Sequence, residues 1–196
     1  MCSSDLGPAD RPGLVLVGGL PGTGKSTLAR ALADRAGFTV IRSDVVRKEL
    51  ARRPPDEPTP PDKRSKMYSA RFTNQTYAEC LRRAEAALFA GRRVIVDATF
   101  ADDVRRQQFL SLAARLAVPA ALLLCRADPE TVRQRLTERR GDASDADWTI
   151  YEATAARWQE PGPAIRPVCD VIETEGPTES VTADALQRLT ARGLWR

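Results

Sequence analysis

The chain has 196 residues, 42% of them hydrophobic, and a formal net charge of +4. It contains no histidine, which excludes a Ser-His-Asp triad, imidazole acid–base chemistry and His-ligated zinc. No apolar run approaches the ~20 residues of a membrane span, and no secretory leader pattern occurs.

The length predicts one domain. The mild positive charge suits phosphate-bearing ligands but falls short of a nucleic-acid-binding arm. The cysteines at 2, 80, 125 and 169 lack metal-ligand spacing and read as buried, reduced thiols of a cytoplasmic protein. Most of the Arg pairs at 52–53, 82–83, 92–93, 105–106 and 139–140 read as solvated helix faces.

Residues 1–6, MCSSDL, back-translate to GTG-TGC-TCT-TCC-GAT-CT, which resembles a common sequencing adapter. We expect residues 1–11 to lie outside the domain, either as an artefact with the natural chain starting upstream or as an ordinary disordered terminus. The single domain is expected over 12–196.

From there strands and helices alternate. GLVLVGG (13–19) is a short apolar run ending in glycine, the pattern of a buried parallel strand. Residues 25–37 have helical spacing at Leu28, Leu32 and Ala36 and stop at Gly37. FTVIR (38–42) predicts a second strand, and 43–51 a short helix with Ser43 as its N-cap. The stretch 52–65 holds five prolines and many charges and predicts a mobile surface loop.

Residues 66–90 predict one long helix with Tyr77, Leu81, Ala84 and Leu88 as its apolar stripe, ended by Gly91. A third strand is expected at 93–100, a helix at 101–117, a fourth strand at 120–125, and a helix at 128–140 capped by Asp128 with Pro129 in its first position. After the polar break 141–147, Ser144 and Asp147 form a capping box for a helix through about Trp158. A last strand is expected at 168–174 and a last helix at 178–192.

Such alternation builds a parallel sheet covered on both faces, with right-handed crossovers. The expected fold is therefore α/β and three-layered, a five-stranded parallel sheet with helices on both faces. Ligands in this architecture bind at the carboxyl ends of the strands, and the motifs fall there.

Gly19-Leu20-Pro21-Gly22-Thr23-Gly24-Lys25-Ser26, followed by Thr27, fits G-x-x-x-x-G-K-[ST]. Its glycines let successive backbone N–H groups face an anion, and the following helix adds its positive end. Lys25 supplies a cation for the β- and γ-phosphates of ATP, and the Ser26 hydroxyl can ligate Mg²⁺. At the end of the second strand, Asp44 can accept the proton of an attacking hydroxyl, and Arg47 can clamp the acceptor or the moving phosphoryl group. An acid in a first helical turn also meets the helix dipole favourably, so the pattern alone leaves Asp44 open.

Asp97, ending the third strand, reads as a Walker B-type acid that orients Mg²⁺ or its water, or as a turn residue capping the next segment. It is not followed by Glu, which weakens an ATP-driven motor. Arg133, Arg135, Arg139 and Arg140, followed by the polar break, have the character of a lid that excludes water and reaches the γ-phosphate. At least one of the four is expected on an ordinary solvated helix face.

The motifs GLPGTGKST, SDVVRKEL, GRRVIVDATF, the arginine helix and DASDAD together resemble the predicted P-loop kinases of the polynucleotide-kinase-like group. Within it they look most like the ATP-binding domain fused behind an aminoglycoside phosphotransferase-like domain in bacterial bifunctional proteins. The likeness runs over nearly all of 12–175. It implies Asp44 as general base, Arg47 as its arginine partner, Asp97 as the metal-site acid, and either Arg139 or Arg140 as the catalytic lid arginine. It also implies a three-layer P-loop NTPase fold with a small helical lid, and a fused partner domain absent from this chain.

Three functions follow. The first is an ATP- and Mg²⁺-dependent kinase acting on a hydroxyl of a small molecule or a nucleic-acid end. The second is an ATP-bound regulatory module of a larger fused protein. The third is a toxin-like kinase of sugar nucleotides.

Overall fold

The computed structural model describes residues 11–138 and 145–196. The adapter-like start, Cys2, and the readings made for Arg139, Arg140 and Ser144 lie outside the described residues.

The first strand, β1 (Gly13–Gly18), is buried along its whole length. That is the property its unbroken apolar run demands of a central strand in a parallel sheet. Around it are α1 (Lys25–Ala36), β2 (Thr39–Arg42), α2 (Ser43–Leu50), α3 (Pro61–Met67), α4 (Ala70–Phe89) and β3 (Arg93–Asp97). Then follow α5 (Asp103–Arg115), β4 (Ala120–Arg126), α6 (Pro129–Glu138), α7 (Trp148–Ala155), β5 (Cys169–Glu173) and α8 (Thr178–Ala191). The sheet order is β2-β3-β1-β4-β5, and every pairing is parallel. This is the expected three-layer arrangement.

Alternate residues of each strand serve opposite faces. Leu14, Leu16, Val94, Val96 and Leu122 pack with α4 and α5 residues such as Cys80, Ala84, Phe109 and Leu112. Val15, Val17, Ile95, Leu123 and Ile172 pack with Leu28 and Leu32 of α1 and Ala185 and Leu189 of α8. Tyr77, Phe100 and Phe109 meet edge to face in the first of these layers.

Four local expectations change. The long helix over 66–90 is two helices. Ser69 interrupts it, leaving the helical region at φ −60°, ψ 153° and accepting a hydrogen bond from Phe72 N–H as the cap of α4. Pro61 starts α3 inside the segment expected to be loop, because proline suits a first helical position.

Ser43 is not an N-cap. It is the first helical residue of α2, with Arg42 in the cap position and no side-chain cap bond. Asp147 caps α7 directly by accepting from Ile150 N–H, and that helix stops at Ala155 rather than near Trp158.

The proline-rich segment is not free of the body. The Lys48 side chain is buried and donates to the carbonyls of Pro55 (3.1 Å) and Glu57 (2.5 Å). It also pairs with Asp145 at 3.5 Å, with both side chains almost wholly out of solvent. Asp145 in turn accepts from the N–H (2.8 Å) and the hydroxyl of buried Thr59. Burial alone would raise the Asp145 carboxyl, but the Thr59 donors and Lys48 hold it below the ordinary aspartate range.

The arginine pairs are not uniformly solvated. Arg106 is fully buried, donates from Nε to Phe100 O (2.8 Å), and pairs with Asp103 at 2.7 Å. Arg93 lies over the rings of Phe38 and Trp195. Among the described cysteines, Cys80 and Cys125 are free and buried, and Cys169 is half-buried.

Candidate active site

β1 ends at Gly18, and the loop that follows needs backbone conformations closed to other residues. Gly19 has φ 139°, and a Cβ there would sit 2.4 Å from Cys125 O. Gly24 has φ 80° and caps α1 with no side-chain hydrogen bond, and no acid occupies the first turn of the helix. The N–H groups that start a helix have no intrahelical acceptor. Here no side chain of the helix start takes them, so they are available to an anion.

Lys25 Nζ bends back to donate to Leu20 O at 2.7 Å, and Leu20 O also accepts from the Thr23 hydroxyl at 2.8 Å. The loop is held at its start by Gly19 N–H on Thr99 O (3.1 Å). Its far side is held by Thr174, whose hydroxyl donates to Thr23 O at 2.9 Å.

Ser26 donates its hydroxyl to Asp97 at 2.6 Å. Asp97 ends β3, is buried, and lies 3.4 Å from Arg42 Nε. Burial pushes its carboxyl above the ordinary range, and Lys25 and the Ser26 hydroxyl oppose that rise. A carboxylate touching a serine hydroxyl beside a glycine-rich loop is a hard-oxygen donor set of the kind Mg²⁺ takes, where substrate phosphates would supply further ligands. Among the described residues no cluster of three His, Cys, Asp or Glu could hold a metal by itself, so any ion here would depend on those phosphates.

Asp44 and Arg47 sit one helical turn apart on α2. Both line a cavity of about 340 Å³ that also takes in Pro21, Lys25 and Asp97. The structure thus brings together Lys25, Asp44, Arg47 and Asp97. Arg47 is 6% exposed. It donates to Met67 O (2.5 Å) and Thr73 Oγ1 (3.3 Å), and its guanidinium lies 4.7 Å from the centre of the Tyr68 ring.

The phenol of Tyr68 also lines the cavity and reaches Asp145 at 3.4 Å. Its pKa is pushed well above the usual range, first by burial and then by the carboxylates of Asp44 and Asp145. It therefore acts as a hydrogen-bond donor.

Tyr68, Thr73, Arg105, Thr154 and Arg157 complete much of the wall, and sequence patterns did not single them out as site residues. Tyr77, read as part of an apolar stripe, is core and wall at once. Its hydroxyl accepts from Phe100 N–H at 3.0 Å, where Phe100 turns the chain with φ 49°. A buried tyrosine in an otherwise aliphatic stripe is the one sequence signal that could have drawn attention to it, since its hydroxyl needs a partner.

Of the lid arginines, Arg135 and Arg133 are placed elsewhere. Arg135 donates to Thr174 O (2.6 Å) and Thr174 Oγ1 (3.3 Å). It borders a second cavity of about 420 Å³, on the other side of the loop, with Gly22, Gly24, Thr27 and Thr178. Arg133 lies over the Trp148 ring at 5.0 Å. Neither lines the cavity that holds Asp44.

A family profile described as "AAA domain" matches residues 14–161. The chain belongs to this AAA domain family. Uncharacterized protein Rv2004c of Mycobacterium tuberculosis is 37% identical over 172 residues, which are 88% of this chain and 34% of that protein. Uncharacterized protein Mb2027c of Mycobacterium bovis matches to the same extent. The chain therefore spans about a third of the length of the curated relatives it matches.

Among solved structures, a gluconokinase from Sinorhizobium meliloti superposes with a TM-score of 0.68 at 17% identity, covering 92% of this chain and 93% of that one. Kti12 of Chaetomium thermophilum, solved with ADP-AlF3, gives 0.66 at 20% identity over 91% and 98%. The Mycobacterium tuberculosis APS kinase CysC, solved with AMPPNP and APS, gives 0.59 at 17% over 92% and 98%. At these identities the likeness is one of fold, and the fold is that of P-loop kinases. Among the described residues no helix is long and apolar enough to cross a membrane.

Proposed function

We propose that this domain is a kinase that moves the γ-phosphoryl group of ATP to a hydroxyl acceptor. The observation that carries the reading is the shared cavity. Lys25 from the phosphate cradle, Asp97 from the end of β3, and Asp44 with Arg47 from α2 all face one space. A hydrolytic motor needs no second-substrate space beside its cradle, whereas a kinase does.

The chemistry follows from the residues. The acceptor hydroxyl gives its proton to the Asp44 carboxylate as its oxygen bonds to the γ-phosphorus. The bond between that phosphorus and the β–γ bridging oxygen breaks, and ADP leaves with those electrons. Lys25 and Arg47 offset the negative charge spread over the transferring oxygens. Ser26 and Asp97 would hold Mg²⁺, which when bound would supply positive charge that offsets the charge of the nucleotide phosphates.

Nucleotide recognition is supported by structures of this fold solved with ADP-AlF3 and with AMPPNP. The second cavity, between the cradle and the start of α8, suits the base and sugar. The catalytic lid arginine remains Arg139 or Arg140, since Arg133 and Arg135 are engaged elsewhere. The acceptor is a small molecule or a nucleic-acid end.

The test is transfer of label from γ-labelled ATP across sugars, sugar acids, nucleosides, oligonucleotides and aminoglycosides, with wild type and Asp44→Ala. We expect transfer to one class, and its loss in Asp44→Ala with ATP affinity largely kept. Transfer at a near wild-type rate in that variant refutes the role of Asp44.

A second reading rests on the length of the matched relatives. This chain corresponds to about a third of them, so a nucleotide-bound regulatory unit of a larger protein, with an aminoglycoside phosphotransferase-like domain beside it, is the alternative. It predicts no labelled acceptor, and nucleotide-dependent association with that domain. A toxin-like activity on sugar nucleotides would instead show as growth arrest that Lys25→Ala relieves.

A further inference from the structure

The cavity wall carries more cation than the phosphoryl transfer uses. Among the described residues it presents four cations, Lys25, Arg47, Arg105 and Arg157, against three carboxylates, Asp44, Asp97 and Asp102. With Lys25 and Asp97 committed to ATP and its ion, and Asp44 and Arg47 to the acceptor hydroxyl and the moving phosphoryl group, two arginines, Arg105 and Arg157, are left facing one aspartate, Asp102. Arg47 belongs to α2, Arg105 to α5, and Arg157 follows α7.

Their pairing is incomplete. Arg105 is matched to Asp102 (3.1 Å) and Asn74 (3.2 Å) and lies 4.5 Å from the centre of the Tyr77 ring. Arg47 has only Met67 O and Thr73 Oγ1 as hydrogen-bond acceptors. Its buried Nε has no partner, and among the described residues no carboxylate forms an ion pair with it. Arg157 is exposed and has no side-chain partner among the described residues.

A guanidinium that is nine-tenths buried without a carboxylate costs stability, because burial removes its hydration and nothing of opposite charge replaces it. A fold that keeps such a group at the wall of a cavity is preorganised for the moving phosphoryl group, and two more guanidiniums on the same wall leave cation for a second anion.

We propose that the acceptor carries its own anionic group, a phosphate or a carboxylate, bound by Arg157 and Arg105 while its hydroxyl faces Asp44 and Arg47. This rests on the kinase reading above and narrows its substrate class. Arg157 gives the anion a charge not shared with any side chain among the described residues, and Arg105 turns from Asp102 toward it. The apolar side of Ile150 and the ring of Tyr68, on the same wall, accommodate the carbon frame between the two ends.

The test compares matched acceptors in the labelled-ATP assay: adenosine 3′-monophosphate against adenosine, and gluconate against glucose. One anionic member should be preferred at least tenfold in kcat/KM, and which pair shows the preference separates phosphate from carboxylate. Arg157→Gln, at an exposed site that should leave folding intact, should raise the KM for that acceptor about tenfold more than the KM for ATP.

A second measurement does not depend on turnover. Inorganic phosphate and acetate are titrated calorimetrically into protein saturated with AMP-PNP. One should bind wild type, and Arg157→Gln should weaken it about tenfold. Equal use of neutral and anionic acceptors, or failure of both anions to bind, overturns the proposal. Anion binding that Arg157→Gln weakens, without transfer to any acceptor, upholds the anion site and removes the kinase reading instead.

Discussion

Replacing Lys48 by Met tests how the proline-rich segment is held. The side chain is buried, and its ammonium meets two carbonyls and the Asp145 carboxylate. Methionine keeps most of the volume and removes the charge, so the packing loss is small. What remains is a buried carboxylate without its cation, for which breaking a buried pair typically costs about 3–5 kcal/mol.

Protonation sets a ceiling on that cost. Neutralising an aspartate of ordinary pKa at pH 7 takes about 4 kcal/mol, and Thr59 still donates two hydrogen bonds to the carboxylate. We therefore expect a loss of about 3 kcal/mol in urea unfolding followed by tryptophan fluorescence. Asp145→Asn in the same chain should return part of it, because the orphaned charge is gone. A loss below about 1 kcal/mol, or full additivity of the two substitutions, would show that the pair is not the fastening described here.

Gly19→Ala should abolish nucleotide binding and lower stability by more than about 2 kcal/mol, since φ 139° and a Cβ 2.4 Å from Cys125 O leave no room. Calorimetry with AMP-PNP and a thermal melt check both. Ser69→Ala, which removes the cap between α3 and α4, should cost about 1 kcal/mol, read by urea unfolding.

Glu79 accepts from Arg82 and Arg83, and these bonds lower its pKa from 4.5 to about 2. A depressed carboxylate stabilises the fold above its unfolded pKa, and that support is lost as pH falls from 4.5 toward 2. Glu79→Gln should therefore narrow the stability difference from wild type across that window in an acid titration followed by circular dichroism. An unchanged difference would count against the pairing.

What the sequence revealed was local. The cradle from Gly19 to Thr27, Asp44 with Arg47, and Asp97 are short motifs whose spacing and position at strand ends carry their meaning. The five strands were legible because buried parallel strands need continuous apolar runs. What was not legible depends on partners far along the chain. Lys48 and Asp145 are separated by 97 positions, and no periodicity links them.

Arg106 looks like any residue of a polar helix until Phe100 O and Asp103 are seen around it. The break at Ser69 was masked because helical spacing continues across it, and a serine before an apolar stripe can be either interior or cap. Arg105 and Arg157 belong to one cavity only because α5 and α7 converge there, and the sequence carries no mark of that convergence.

Thr174 bears on where this domain can be cut or joined to others. The family match stops at residue 161, and a boundary drawn there would look natural. Yet the Thr174 hydroxyl bonds Thr23 O and Arg126 O, and its carbonyl receives Arg135. The glycine-rich loop near the start of the domain is thus fastened by a residue near its end. A fragment ending at 161 would retain every motif residue and lose the fastening, so an inactive truncation of that kind would carry no information about catalysis. Fusions and split-protein designs should place their junctions beyond α8.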